Sequence, residues 1–142
     1  MKTFLSGICL LICLVGNVWA LDASSVDVAV LVQTGSSWDG TTLPDYAQGQ
    51  PEITILKIII PPQVQLPLHE HPVINAGVLL KGELTVITEK QETLHLKAGD
   101  AIVEVVDKWH YGKNEGSEPA EIIVFYAGVR DMPITIKEKV VQ

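Results

Sequence analysis

The chain has 142 residues, 47% hydrophobic and 19% charged, with 17 acidic against 10 basic side chains and a net charge of −7. The length suits one domain with its own core. An acidic chain without basic clusters argues against nucleic acid and anionic membrane surfaces as partners.

Residues 1–20 read as a signal peptide. Lys2 gives a positive start, Phe4 to Val15 is a short apolar core, and Val18-Trp19-Ala20 ends in small residues at the positions a signal peptidase reads. The run is short for a membrane span and no basic flank follows it. Cys9 and Cys13 each follow an isoleucine, where a lipid-modification site needs a small residue. Cleavage after Ala20 leaves residues 21–142 as one domain and removes both cysteines. The mature chain then has no disulfide, thiolate ligand or cysteine nucleophile. This reading places it in a periplasm or outside the cell.

Val26 to Val32 alternates loosely and is expected to form a first strand. Residues 35–50 connect, with a turn at Asp39-Gly40 and a stop at Pro44. Trp38 and Tyr46 are aromatics in this polar stretch, expected either to cap the core or to rim a pocket. Ile53 to Ile60 is too β-branched for a helix and predicts a central strand, ended by Pro61-Pro62. Extended structure resumes from Gln63 to His71, through Pro67, as an edge or a bulge. Ile74 to Leu80, Glu83 to Thr88, Thr93 to Leu96, Ala101 to Val106, Trp109 to Tyr111, Glu121 to Tyr126 and Ile134 to Ile136 are the remaining predicted strands. Turn signals between them recur at short intervals, and no ten-residue stretch has helical periodicity backed by caps. The fold class is therefore all-β, a sandwich or barrel.

Two of the four histidines, His69 and His71, stand at i and i+2. On a strand they share a face, which makes them half of a candidate metal site. His95 alternates with Leu94 and Leu96 and is expected to face outward. His110 follows a strand, a turn at Asp107-Lys108 and a bulky Trp109. It can reach the pair from across a closed barrel. Glu70 lies between the paired histidines and is expected to point away. Glu104 sits inside the apolar run Ile102-Val103-Glu104-Val105-Val106. If its face is interior it is a general base or a replacement ligand; if exterior it is ordinary. Trp109, Tyr111, Phe125 and Tyr126 are expected mostly in the core, with one of them a candidate for the pocket wall.

These residues carry a resemblance. The run His69-Glu70-His71, three residues, Asn75, six residues, Gly82 is similar to the first motif of the cupin family. Gly99, five residues, Val105-Val106-Asp107, two residues, His110, three residues, Asn114 resembles its second motif. The resemblance implies a cupin-type jelly-roll barrel, the double-stranded β-helix. It also implies a divalent metal, iron, manganese, zinc, nickel or copper, held by His69, His71 and His110. Gln63 stands where the family has glycine, Val105 and Asp107 replace its proline and glycine, and Asn75 replaces its glutamate. Asn75 is then a weak oxygen ligand or an outer hydrogen-bond donor, and three neutral imidazoles leave an ion its full +2 charge. The resemblance suggests a metal-dependent enzyme on a small organic molecule, oxygenase- or isomerase-like. A non-catalytic module binding metal or a small ligand is the alternative. By analogy with similar barrels, two copies pair through edge strands.

Overall fold

The computed structural model describes residues 26–138, so the signal-peptide reading of residues 1–20 lies outside the described residues. Among the described residues nine strands follow in order: β1 (Pro51–Ile60), β2 (His69–Glu70), β3 (Ile74–Lys81), β4 (Glu83–Thr88), β5 (Thr93–Lys97), β6 (Ala101–Val103), β7 (His110–Lys113), β8 (Ala120–Val129) and β9 (Ile136–Lys137). There is no helix among the described residues. One antiparallel sheet has the order β1-β8-β3-β6 and the other β5-β4-β7-β2-β9. The all-β cupin-type jelly roll expected from the sequence is the fold observed.

The core lies between the sheets because the strands alternate. On β8, Ala120, Ile122, Val124 and Tyr126 are buried, while Ile123 and Phe125 are exposed on the outer face. β3 sends Asn75 and Leu79 inward beside β8, with Gly77 between them. From the opposite sheet, Leu84 and Val86 of β4 and Leu96 of β5 join the same cluster. Gly77 is required by packing: a Cβ there would lie 2.8 Å from the Ile123 carbonyl oxygen.

Two expectations are corrected. The isoleucine-rich run over 53–60 is not a central strand. Among the described residues β1 pairs with β8 alone and forms a sheet edge. Only one face is covered, so Ile53, Ile55 and Ile59 remain exposed while Ile60 is buried. Residues 26–32 form no strand; Val26, Val28, Val30 and Leu31 are exposed. A β-prone sequence still needs a partner for its ladder, and this segment has none among the described residues. The chain joins the barrel at Ser37, whose hydroxyl donates to the Glu104 carbonyl (2.8 Å), and at Trp38, whose N–H donates to the Val103 carbonyl (2.9 Å). Trp38 packs on the core and Tyr46 is exposed.

The departures from the family pattern keep its turns. Gln63 and Asp107 both have positive φ, 62° and 52°, the left-handed region that favours glycine. Gln63 Nε2 donates to the carbonyls of Glu115 (2.7 Å) and Gly116 (3.0 Å). The Asp107 N–H donates to the His71 carbonyl (2.9 Å) and ties this turn to the chain beside β2. Gly82 keeps its glycine, with φ +73° and an added Cβ only 2.7 Å from the Pro119 carbonyl oxygen.

Candidate metal centre

Strand register builds the site. β2 and β7 are antiparallel with His69 directly opposite His110, so the two side chains share a face. His71 lies two residues further on, again on that face. The three ring centroids are 4.5 to 5.0 Å apart. One nitrogen from each ring lies within 4.8 Å of the other two.

Hydrogen bonding fixes which nitrogens these rings offer. His69 Nδ1 lies 2.7 Å from the Pro67 carbonyl oxygen, His71 Nδ1 2.8 Å from that of Ile134, and His110 Nδ1 2.8 Å from that of Lys108. A carbonyl only accepts, so each Nδ1 carries the proton and donates. In a neutral ring this leaves Nε2 with its lone pair free. Burial holds all three imidazoles below the ordinary histidine range, His71 down to about 4. At neutral pH they are uncharged, the form in which imidazole binds metal. Main-chain carbonyls orient metal-bound histidines in the same way elsewhere.

The cavity in front of the rings has a volume of about 50 Å³. Its walls are aliphatic, including Ile58, Ile60, Leu66 and Val124, and it holds the three histidines, Glu104 and Tyr126. Glu104 therefore faces inward. It is 9% exposed, and its Oε2 lies 3.6 Å from His110 Nε2. Neither atom has a hydrogen-bond partner among the described residues. Burial pushes the Glu104 carboxyl up to about 7. Tyr126 stacks edge-on against His71, with centroids 5.4 Å apart. Burial, then the Glu104 charge, pushes its phenol up to about 12, against a Thr135 hydrogen bond that lowers it.

The other candidates fall elsewhere. Asn75 is buried on β3 at 1% exposure but is not among the cavity walls. Its Nδ2 donates to the Val73 carbonyl (3.3 Å), and its Oδ1 has no partner. His95 is exposed on β5, with Nδ1 3.0 Å from the Thr85 hydroxyl. Glu70 is only half-buried and is not part of the cavity wall. Phe125 lies on the outside, and Tyr126 is the aromatic in the pocket. Sequence reasoning missed the Ile134 carbonyl that orients His71, because a main-chain acceptor 63 residues away leaves no trace in residue types. It also missed Thr135, whose hydroxyl lies 3.2 Å from His71 Nδ1.

None of the curated proteins matches the sequence. Among solved structures, the chain is similar to an oxalate decarboxylase of Lactobacillus farciminis, with TM-score 0.52 and 23% identity over 60% of this chain and 26% of that one. A DMSP lyase of Ruegeria pomeroyi is similar with TM-score 0.53 and 19% identity, over 60% of this chain and 42% of the lyase. A double-stranded β-helix protein of Klebsiella pneumoniae matches with TM-score 0.53 and 19% identity, over 81% of this chain and all of that one. The chain thus spans about a quarter of the decarboxylase and two fifths of the lyase, and identities this low show the fold alone. The family described as the cupin domain matches residues 56–126, a span that holds the three histidines, Glu104 and Tyr126. On that match, and on the double-stranded β-helix that carries these residues, the chain belongs to the cupin domain family.

Proposed function

We propose that the cavity holds one divalent metal ion on His69, His71 and His110. In this reading the protein is an exported metal-dependent enzyme, oxygenase- or isomerase-like, acting on a small organic molecule. The observation that carries it is the shared state of the three rings: every Nδ1 donates to a main-chain carbonyl, and every Nε2 lone pair is left free. Neutral nitrogen donors of this kind suit iron, manganese, zinc, nickel or copper. A bound ion supplies Lewis-acid polarisation of a substrate oxygen or a redox partner for dioxygen.

The chain's own residues do the rest. The aliphatic wall keeps bulk water away from the histidines and restricts entry to small molecules. The Tyr126 phenol stays protonated at neutral pH and can donate to a substrate oxygen. Glu104, free of the ion, is the carboxylate that accepts or returns a proton; bound to the ion, it lowers the ion's charge. Asn75 stays a candidate outer acceptor through its unpartnered Oδ1. A decarboxylase and a lyase on this fold support a small-molecule substrate. Export rests on residues 1–20 alone.

A second reading has its own observation. A cavity of about 50 Å³ with aliphatic walls has room for an ion and on the order of a few waters. That suits a non-catalytic module that binds a metal or a very small ligand.

Metal analysis of the purified protein beside His71→Ala at near-neutral pH tests the common core of both readings. Wild type should carry close to one equivalent and the variant almost none. Equally low metal in both would sink the proposal. Turnover of small carboxylic acids by the loaded protein then separates enzyme from binder. N-terminal sequencing of the protein recovered from outside the cytoplasm checks export, with a mature start after Ala20 expected.

A further inference from the structure

The geometry points to Glu104 as the oxygen ligand that completes the His69, His71 and His110 set. This rests on the proposed metal site and extends it. The family pattern puts a carboxylate at the position of Asn75, on β3. Here that position is an amide turned to the Val73 carbonyl and outside the cavity wall. The Glu104 N–H donates to the Asn75 carbonyl (3.1 Å), so the two residues are neighbours where β3 meets the end of β6. The carboxylate has moved from one strand to the next and still enters the same cavity.

Distances and partners carry the argument. Glu104 Oε2 and His110 Nε2 are 3.6 Å apart, both buried and, among the described residues, both without a hydrogen-bond partner. That separation is too long for a hydrogen bond between them. Two donor atoms about 2.1 Å from a shared ion are about 3.0 Å apart at a right angle and about 3.4 Å apart at the tetrahedral angle. The gap to His110 needs only a few tenths of an ångström of closure to become one edge of a coordination shell, while Glu104 lies outside the group of atoms within 4.8 Å of one another that the three histidines form, so its side chain must turn to reach the other two. Two unshared lone pairs held this close in a buried site repel unless something positive lies between them. With three histidines converging on the same space, the positive body is a divalent cation rather than a single shared proton.

The charge at the site changes accordingly. Three neutral imidazoles and one carboxylate reduce a divalent ion to a net +1, in place of the +2 expected when position 75 is read alone. The Ser37 hydroxyl holds the Glu104 carbonyl, and the adjoining Val105 is fully buried, so the carboxylate enters from a fixed backbone.

Cobalt(II) is the probe. Its affinity is measured by chelator competition, and its visible absorption reports the number and type of ligands. The proteins compared are wild type, Glu104→Gln, Glu70→Gln and His71→Ala, each checked for folding by circular dichroism. Glu104→Gln should weaken cobalt binding by about 100-fold and change the visible spectrum, while Glu70→Gln, outside the cavity wall, leaves both close to wild type. Wild-type affinity and an unchanged spectrum in Glu104→Gln, with binding lost in His71→Ala, would overturn the assignment of Glu104 and leave the three-histidine site standing. Absence of cobalt binding in wild type would remove the metal site itself, and this inference with it. Should Glu104→Gln fail to fold, Glu104→Asp takes its place. It withdraws the carboxylate by one methylene and should show the same two changes, and wild-type values there would equally overturn the assignment.

Discussion

Replacing Asn114 with alanine should cost the protein about 2–4 kcal/mol of stability and leave the three-histidine cluster intact. The side chain is completely buried. Its Nδ2 donates to the carbonyls of Ile60 (2.9 Å) and Glu118 (2.8 Å), and its Oδ1 accepts from the Gly116 N–H (2.9 Å). One amide thus pins the end of β1 to the loop between β7 and β8. Each bond contributes about 1 kcal/mol net. Glu118 is exposed, so its carbonyl can turn to water once the amide is gone. Ile60 stands opposite Ala120 in the β1–β8 ladder, so its buried carbonyl loses one bond and stays in that ladder. Urea denaturation of metal-free protein, followed by far-ultraviolet circular dichroism, measures the sum. Asn114→Asp is the informative companion. It keeps the acceptor for Gly116 but aims a carboxylate at two carbonyl oxygens, so it should be at least as damaging at pH 7 and recover partly in acid. A cost below about 1 kcal/mol for Asn114→Ala, or a loss of metal with stability unchanged, would refute this account of Asn114 as structural.

Three further outcomes are expected. In metal-free protein, Glu104 has its carboxyl raised from 4.5 to about 7, so the folded state holds its proton more tightly than the unfolded chain. The resulting penalty on folding grows as pH rises from 4.5 through 7, and Glu104→Gln should be more stable than metal-free wild type by up to about 3 kcal/mol at pH 8 but equal to it near pH 4. Comparing urea midpoints across that range checks the sign, and a pH-independent difference would contradict it. Gly82→Ala should lose about 2–4 kcal/mol, since its positive φ and its approach to Pro119 both resist a Cβ; a thermal melt within a degree or two of wild type would show that this turn yields. Sedimentation should find paired copies in wild type and single copies in Ile55→Lys, because Ile55 lies beside Phe125 in an exposed apolar outer face; a monomeric wild type would end the idea.

The sequence made the barrel legible because its strands are short, alternate cleanly and are punctuated by Gly82, Gly99 and the Asp107 turn. The histidines were legible for a related reason: on β2 a spacing of two is already a statement about faces. Four things were not. Whether β1 is central or at an edge depends on which strands flank it, and an isoleucine run reads the same either way. The failed strand over 26–32 shows the reverse, a segment with the right residues and no partner. The side taken by Glu104 was ambiguous because Val103 and Val105 are buried as well, at 9% and 0% exposure. The loop carrying Trp38 covers that outer side, so alternation could not choose. Gln63 and Asp107 read as broken landmarks, yet both adopt the left-handed backbone of the glycines they replace.

The position of β9 bears on how such a site comes into being. His71 is oriented by the Ile134 carbonyl, and β2, only two residues long, has β9 as its second neighbour. The ribosome makes the histidine pair early and its orienting partner 63 residues later. A nascent chain therefore carries His69 and His71 well before it can hold them still, and the centre acquires its final shape only when the last described strand docks. A metal ion taken up by these histidines would meet an oriented His71 only after Ile134 has been made. Clipping the chain ahead of Ile134 should then yield a molecule that keeps most of its barrel and cannot mature.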